Sequence, residues 1–191
     1  MGVCGYLSLM VAAWLALAAV CAGLGLPVYR LIGRRGLTAD ELLLAPWLGW
    51  CVLIALLQLW HLFLPVDGRT LLAVAILGAA GLAFSARELA APARRLAQAC
   101  PYAAPVVLLA AFWLANQTAI QHTIYDSGFY HLSAIRWIET YRVVPGLGNL
   151  SKMLGFSNSY FLYVALLDTG PFRYKVHHVA GAFLLCLLLV R

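Results

Sequence analysis

Charged residues are scarce in this sequence. Only 10% of its 191 residues are Asp, Glu, Lys or Arg, whereas a soluble domain carries about 25%. Hydrophobic residues make up 64% of the chain, so there is too little polar surface to face water on all sides. The composition therefore excludes a soluble globular domain and indicates an integral membrane protein, whose apolar surface contacts membrane lipid.

Two further patterns are missing. None of the five cysteines stands in C-x-x-C spacing, so nothing indicates a disulfide framework or a zinc site. No basic stretch is interleaved with stacking aromatic residues away from an apolar run, which argues against nucleic acid as a partner. The net charge of +6 is better explained by arginines between apolar segments, since cytoplasmic loops of membrane proteins collect them.

Five apolar runs divide the chain. A spanning helix needs about 20 mostly apolar residues, and runs near that length occupy residues 6–26, 42–64, 70–84, 103–120 and 177–189. Pro27 is expected to end the first run, and Pro92 stands in a basic connector after the third. We predict an all-α polytopic membrane helix bundle of about five spans.

The predicted organisation has three parts, which are a four-span membrane region (1–120), a long external loop with interfacial amphipathic helices (121–175) and a fifth span (176–191). Because the sequence ends in the last turn of the fifth run, we expect it to be the N-terminal part of a longer protein.

Arginines set the expected orientation. The connectors after the first and third runs carry three arginines each, whereas the turn after the second run carries one. The positive-inside rule places the two arginine-rich connectors in the cytoplasm. The N-terminus and residues 121–175 then lie on the outer face of the cell inner (plasma) membrane.

The external segment contains two expected helices. Apolar residues recur at nearly helical spacing between Phe129 and Tyr141, which predicts an amphipathic helix at the membrane interface. A Pro-Gly turn follows. Asn158 can then cap a second short helix that reaches Leu167, and a Gly-Pro pair breaks it.

The stretch between Tyr125 and Asn149 is the one long segment in which acid, imidazole, guanidinium, phenol and indole groups occur close together. Asp126 is the candidate catalytic residue, because a carboxylate beside a membrane is costly unless it is solvated, paired or coordinating. It could accept a proton from an acceptor hydroxyl or hold a divalent cation such as Mg²⁺ or Mn²⁺. The candidate substrate- and phosphate-binding residues are Tyr130, His131, Arg136, Arg142 and Asn149.

Each candidate also has an ordinary structural explanation. Asp126 can cap the helix that follows it, and His131 can be a satisfied surface histidine. Arg136 and Arg142 can extend to lipid headgroups without binding any substrate. Trp137 and the neighbouring tyrosines are as typical of an aromatic belt as of a platform that stacks on sugars.

Three motifs carry a family resemblance, and they are Tyr125-Asp126-Ser127-Gly128-Phe129-Tyr130-His131, Ile135-Arg136-Trp137-Ile138-Glu139 and Val144-Pro145-Gly146-Leu147-Gly148-Asn149-Leu150. Over about residues 120–190 the chain resembles a group of bacterial multispanning membrane proteins of unknown function. The order of apolar helix, early Asp, amphipathic helix, Pro-Gly turn and second short helix also resembles the GT-C class of polytopic glycosyltransferases, which use polyprenyl-phosphate-linked sugars. This resemblance implies a GT-C-like fold in which Asp126 occupies the place of the first-loop catalytic acid.

Two functions remain open at this point. The first is a membrane glycosyltransferase-like protein, or the N-terminal part of one, that transfers a sugar from a polyprenyl-phosphate-linked donor at the outer face. The alternative is a non-enzymatic membrane subunit or transporter part that a protein partner completes.

Overall fold

A computed structural model describes residues 2–34, 36–119, 127–155 and 158–190, and within these ranges every regular element is helical. The α-helices are α1 (Val3–Leu31), α2 (Ala39–His61), α3 (Gly68–Ala99), α4 (Ala103–Ala119), α5 (Leu132–Thr140), α6 (Leu147–Leu150), α7 (Ser159–Leu167) and α8 (Val176–Leu189). A π-helical turn, Ser127–His131, leads into α5, and 3-10 turns cover Lys152–Gly155 and Gly170–Phe172. The all-α prediction is confirmed for the described residues.

Three of these helices, α1, α2 and α3, are long and apolar enough to cross a membrane. Two shorter apolar helices follow, at Ala103–Ala119 and Val179–Leu189. The start of α2 is capped as its sequence suggests, because Thr38 and Glu41 each donate a backbone hydrogen bond to the side chain of the other. Thr38 N donates to the Glu41 carboxylate at 2.8 Å, and Glu41 N donates to Thr38 Oγ1 at 3.2 Å.

Two prolines lie inside helices that were expected to end near them. The α1 helix continues through Pro27 to Leu31, and α3 continues through Pro92 to Ala99. Pro27 removes its own backbone hydrogen bond, and a single proline of this kind is tolerated inside helices that cross membranes. Pro92 stands among alanine, leucine and arginine, which favour helix. Part of the expected basic connector is therefore helical.

The chain forms two compact units. One comprises Met1–Val52, Val74–Ile120 and Gly181–Arg191, and the other comprises Leu53–Ala73 and Gln121–Ala180. Helices α2, α3 and α8 contribute residues to both units.

Glycines bring α1 close to two neighbours in the first unit. A Cβ atom at Gly25 would come within 2.7 Å of Gly49 N on α2, and one at Gly23 within 2.7 Å of the Gly78 carbonyl carbon on α3. Small residues at such crossings are typical of membrane helix packing. In the same unit, Arg30 Nη2 lies 2.9 Å from Glu88 Oε1, and the Arg30 guanidinium lies 4.0 Å from the centre of the Phe84 ring.

Helix α7 lies in the interior of the second unit. Asn158 caps it as predicted, since Asn158 Oδ1 accepts a hydrogen bond from Tyr160 N at 3.0 Å. Helix α7 is not amphipathic, because the five consecutive residues Leu162–Leu166 are all buried, and its expected position at the membrane interface stays a prediction. The sequence of α7 is apolar on every side, which is typical of an enclosed helix.

Two backbone hydrogen bonds tie the end of α2 to the region of α5. Val66 N donates to the Ile138 carbonyl at 3.0 Å, and Val143 N donates to the His61 carbonyl at 3.0 Å. These residues lie more than 70 positions apart in sequence. The two bonds bring α5, and the residues that follow it, beside the last turn of α2.

Candidate functional site

A groove of about 570 Å³ opens in the second unit. Its walls are the end of α2, one side of α5, the turn after α5 and the first residues of α7. The polar and aromatic side chains that line it are Gln58, His61, Trp137, Arg142, Asn158, Ser159 and Phe161. Its volume lies within the range of about 300–1,000 Å³ that small-molecule sites occupy.

Local sequence explains how the turn after α5 closes this groove. The bond from Val143 N to the His61 carbonyl holds Arg142 and Val143 beside α2. Gly146 follows with a φ of 87°, a left-handed conformation that glycine adopts without a Cβ clash. Leu147 and Gly148, which follow this turn, also line the groove.

Three side chains give the groove its chemical character. The Trp137 ring packs against Tyr141 with the ring centres 5.0 Å apart and the planes inclined by 38°, and Trp137 also lines the groove. Arg142 is exposed and forms no ion pair within the described part of the chain. His61 Nδ1 is buried and has no hydrogen-bond partner among the described residues.

His131 lies at a smaller cavity of about 220 Å³, which shares Asn158 and Phe161 with the groove. The His131 ring centre lies 4.3 Å from that of Tyr130 and 5.1 Å from that of Phe161. Burial raises the pKa of the Tyr160 phenol at the same cavity. The packing around His131 is mostly aromatic and apolar.

Arg136 and Asn149, two of the remaining candidates that the structure describes, line neither cavity. Arg136 Nη1 is 3.0 Å from Glu139 Oε2, and the Arg136 guanidinium carbon lies 4.0 Å from the centre of the Tyr174 ring. Asn149 is exposed on α6 and lines neither cavity. Asp126, the candidate catalytic and metal-binding residue, lies outside the described residues. Of the named candidates that are described, only Arg142 lines the groove.

Residues 8–191 match a protein family described as a domain of unknown function, DUF8201. The chain belongs to the DUF8201 family. No curated protein and no solved structure matches it.

The groove of this DUF8201 chain can bind a ligand that is both polar and anionic. Arg142 supplies a guanidinium, which pairs with phosphate or carboxylate oxygens through two parallel hydrogen bonds. His61, Asn158 and Ser159 add uncharged donors and acceptors at neutral pH. Trp137 adds a flat apolar surface. Among the described residues, no group of three or more His, Cys, Asp or Glu side chains is arranged to hold a metal ion.

Two groove residues, His61 and Asn158, were not among the sequence candidates. His61 is the only histidine before residue 122 and stands at the end of an apolar run, which is a usable signal. Asn158 was recognised as a helix cap and given no other role. Both reach the groove through long-range packing, which local spacing does not reveal.

Proposed function

We propose that this DUF8201 chain is a membrane glycosyltransferase-like protein, or the N-terminal part of one, that transfers a sugar from a polyprenyl-phosphate-linked donor. About five spans, a GT-C-like fold and a site on the outer face are parts of this proposal. The observation that carries it is the groove, where an indole, a guanidinium and an amide side chain line one cavity.

The groove suits the two halves of such a donor headgroup. A hexose has an apolar C–H face and a rim of hydroxyl groups. Trp137 can stack against the face while Asn158 and Ser159 bond to the hydroxyls. A phosphate diester carries one negative charge, which the unpaired Arg142 matches. Arg136 is less suitable for this role, because Glu139 and Tyr174 already engage its guanidinium.

The position of the groove supports a lipid-linked ligand. Gln58, His61 and Leu62 belong to or follow the last turn of α2, a helix that is long and apolar enough to cross a membrane. A spanning helix leaves the hydrocarbon near its ends. A phosphate that is attached to a prenyl chain lies at the same depth, so its headgroup can enter the groove while the chain stays in lipid.

The sequence candidates take the following roles in this proposal. Asp126 accepts the proton of the acceptor hydroxyl, or holds a divalent cation such as Mg²⁺ or Mn²⁺ that supports the phosphate. Tyr130, His131 and Asn149 do not line the groove, and in this proposal they contact parts of the substrate that extend beyond it. Arg142 binds the phosphate.

The first test is binding to the chain reconstituted in lipid nanodiscs. Radiolabelled undecaprenyl-phosphate glucose is titrated against the wild type, Arg142→Ala and Arg142→Lys. A charge-assisted hydrogen bond contributes about 1.5–3 kcal/mol, so Arg142→Ala should bind at least about tenfold more weakly. Arg142→Lys should recover part of the loss, because lysine keeps the charge but not the two-pronged geometry.

Arg69→Ala is the matched control. Arg69 is an exposed arginine in the same unit that does not line the groove, so its variant should bind as the wild type does. If all three variants bind alike, the groove is not the phosphate site. If the wild type binds no lipid-linked sugar, the non-enzymatic subunit becomes the better explanation.

A further inference from the structure

Helix α5 contributes residues to the walls of both cavities, and it also carries Arg136 and Glu139, which line neither of them. The Glu139 side chain is only 14% exposed, and its Oε2 atom pairs with Arg136 Nη1 at 3.0 Å. Asp168, which ends α7, is buried and accepts a hydrogen bond from Tyr174 N through Oδ1. The Arg136 guanidinium lies 4.0 Å from the centre of the Tyr174 ring, so Tyr174 and Arg136 connect the two carboxyl groups in one cluster.

One oxygen atom in this cluster lacks a donor. Glu139 Oε1 is buried and has no hydrogen-bond partner among the described residues. The Asp168 carboxyl lies where it can accept a hydrogen bond from the protonated form of Glu139. A buried carboxylate oxygen without a donor is unfavourable, and two adjacent carboxyl groups are most stable when they share one proton.

The surrounding charges partly offset each other. Burial is the largest effect that raises the pKa of Glu139, followed by the hydrogen bond to Asp168 and by the negative charge of Asp168. The guanidinium groups of Arg136 and Arg173 lower it, and the balance puts the pKa of Glu139 at about 7. The carboxyl pair can therefore gain or lose its proton near neutral pH.

We infer that Glu139 and Asp168 form a proton-binding site that holds α5 against the segment between α7 and α8. With the proton bound, Glu139 donates a hydrogen bond to Asp168 and the two residues carry one negative charge. When the proton leaves for solvent, two carboxylates face each other in a buried position. The contact between α5 and Asp168 then becomes repulsive.

Tyr174 extends this contact to the start of α8. Its φ of 68° is unusual for a bulky residue, and two interactions hold it there. Asp168 accepts its backbone N–H, and the Arg136 guanidinium lies over its ring. Both partners belong to the cluster, so loss of the proton should also loosen Tyr174.

The site matters beyond its own residues because α5 forms walls of both cavities. Ala134, Trp137 and Ile138 line the groove, and Leu132 and Ile135 line the smaller cavity. A change in how α5 is held therefore shifts the groove wall. This inference depends on the packing of α5 and not on which ligand the groove takes.

Infrared difference spectroscopy of the full chain in nanodiscs tests the inference directly. A protonated carboxylic acid has its own C=O band, and this band should disappear with a midpoint near neutral pH in the wild type. Glu139→Gln should abolish the change. Asp168→Asn should shift the midpoint to lower pH, because the second negative charge is gone.

Thermal unfolding supplies a second measurement. Folding raises the pKa of Glu139 from its ordinary value of 4.5 to about 7. Between pH 4.5 and about pH 7, the folded protein therefore holds a proton on Glu139 that the unfolded chain has released. Stability should therefore fall as pH rises from about 4.5 to about 7 and stay level above. Because each pKa unit is tenfold in equilibrium, the rise from 4.5 to about 7 makes the fall about 300-fold in the folding equilibrium constant.

Glu88→Gln is the matched control. Glu88 also pairs with an arginine, Arg30, at 2.9 Å, but its variant should keep the wild-type pH profile. A wild-type acid band that has already disappeared when the pH is raised to about 5 would overturn the inference, as would an unchanged profile in Glu139→Gln. The wild-type spectrum and Asp168→Asn decide the matter even if Glu139→Gln does not fold.

Discussion

Replacing Gly49 by alanine should push α1 and α2 apart. The new methyl carbon would lie 2.5 Å from the Cys21 carbonyl carbon and 2.9 Å from Gly25 N, and closer still to the Cys21 carbonyl oxygen. All of these are backbone atoms of α1. No side-chain rotation can relieve the contact, so the helix as a whole must move.

The size of the effect follows from these distances. Ordinary van der Waals contact begins at 3.4 Å, and the Cys21 carbonyl oxygen is the nearest atom, so the helices must separate by more than an ångström at this crossing. Overpacking of this kind costs about 1–3 kcal/mol, and the upper part of that range applies because backbone obstructs the methyl. Alanine returns up to about 1 kcal/mol through its higher helix propensity. The net loss should be about 1–2 kcal/mol.

The assay is unfolding of the purified chain in mixed micelles by increasing SDS, followed by circular dichroism. Gly49→Ala should unfold at a lower SDS fraction than the wild type. Gly68→Ala is the control, because a methyl group there meets nothing within 4 Å at the start of α3. Equal stability of Gly49→Ala and the wild type would refute the close crossing of α1 and α2.

Two further predictions concern the cap at Asn158 and the candidate catalytic residue Asp126. Asn158→Ala removes the hydrogen bond from Tyr160 N and should lower the free energy of unfolding by about 1 kcal/mol, measured by the same SDS titration. Asn158→Ser keeps a capping oxygen and should lose less stability. Equal losses in the two variants would contradict the capping role. Asp126→Asn should abolish sugar transfer in membranes that contain the full-length protein while leaving insertion unchanged, and retained transfer would remove the catalytic role from Asp126.

Much of the helical framework can be predicted from local sequence. The apolar runs predicted the three long helices, because no other arrangement satisfies the backbone of a long apolar segment in lipid. The cap at Asn158 and the turn at Gly146 were also predictable, since each depends on residues within a few positions. Pro27 and Pro92 were misleading, because each removes only a single backbone hydrogen bond and the helix continues past it.

The candidate site was predicted less completely. Arg136 and Arg142 lie close together in the sequence, and both were candidates for binding phosphate. In the structure, however, the two side chains have different surroundings. Arg142 lines the groove, whereas Arg136 pairs with Glu139 and stacks on Tyr174. Glu139 appeared in the sequence only as part of a motif. Its partner Asp168 lies 29 residues further along the chain, so no local pattern joins them.

The sequence by itself determined that the chain is helical, that it contains segments able to cross a membrane, and where its main turns lie. These properties depend on composition and on contacts within one or two helical turns. Tertiary structure alone decided that α7 is enclosed, that His61 lies beside Arg142, and that Glu139 meets Asp168. Such contacts arise when distant segments bury each other, and the free energy of that burial depends on the whole fold.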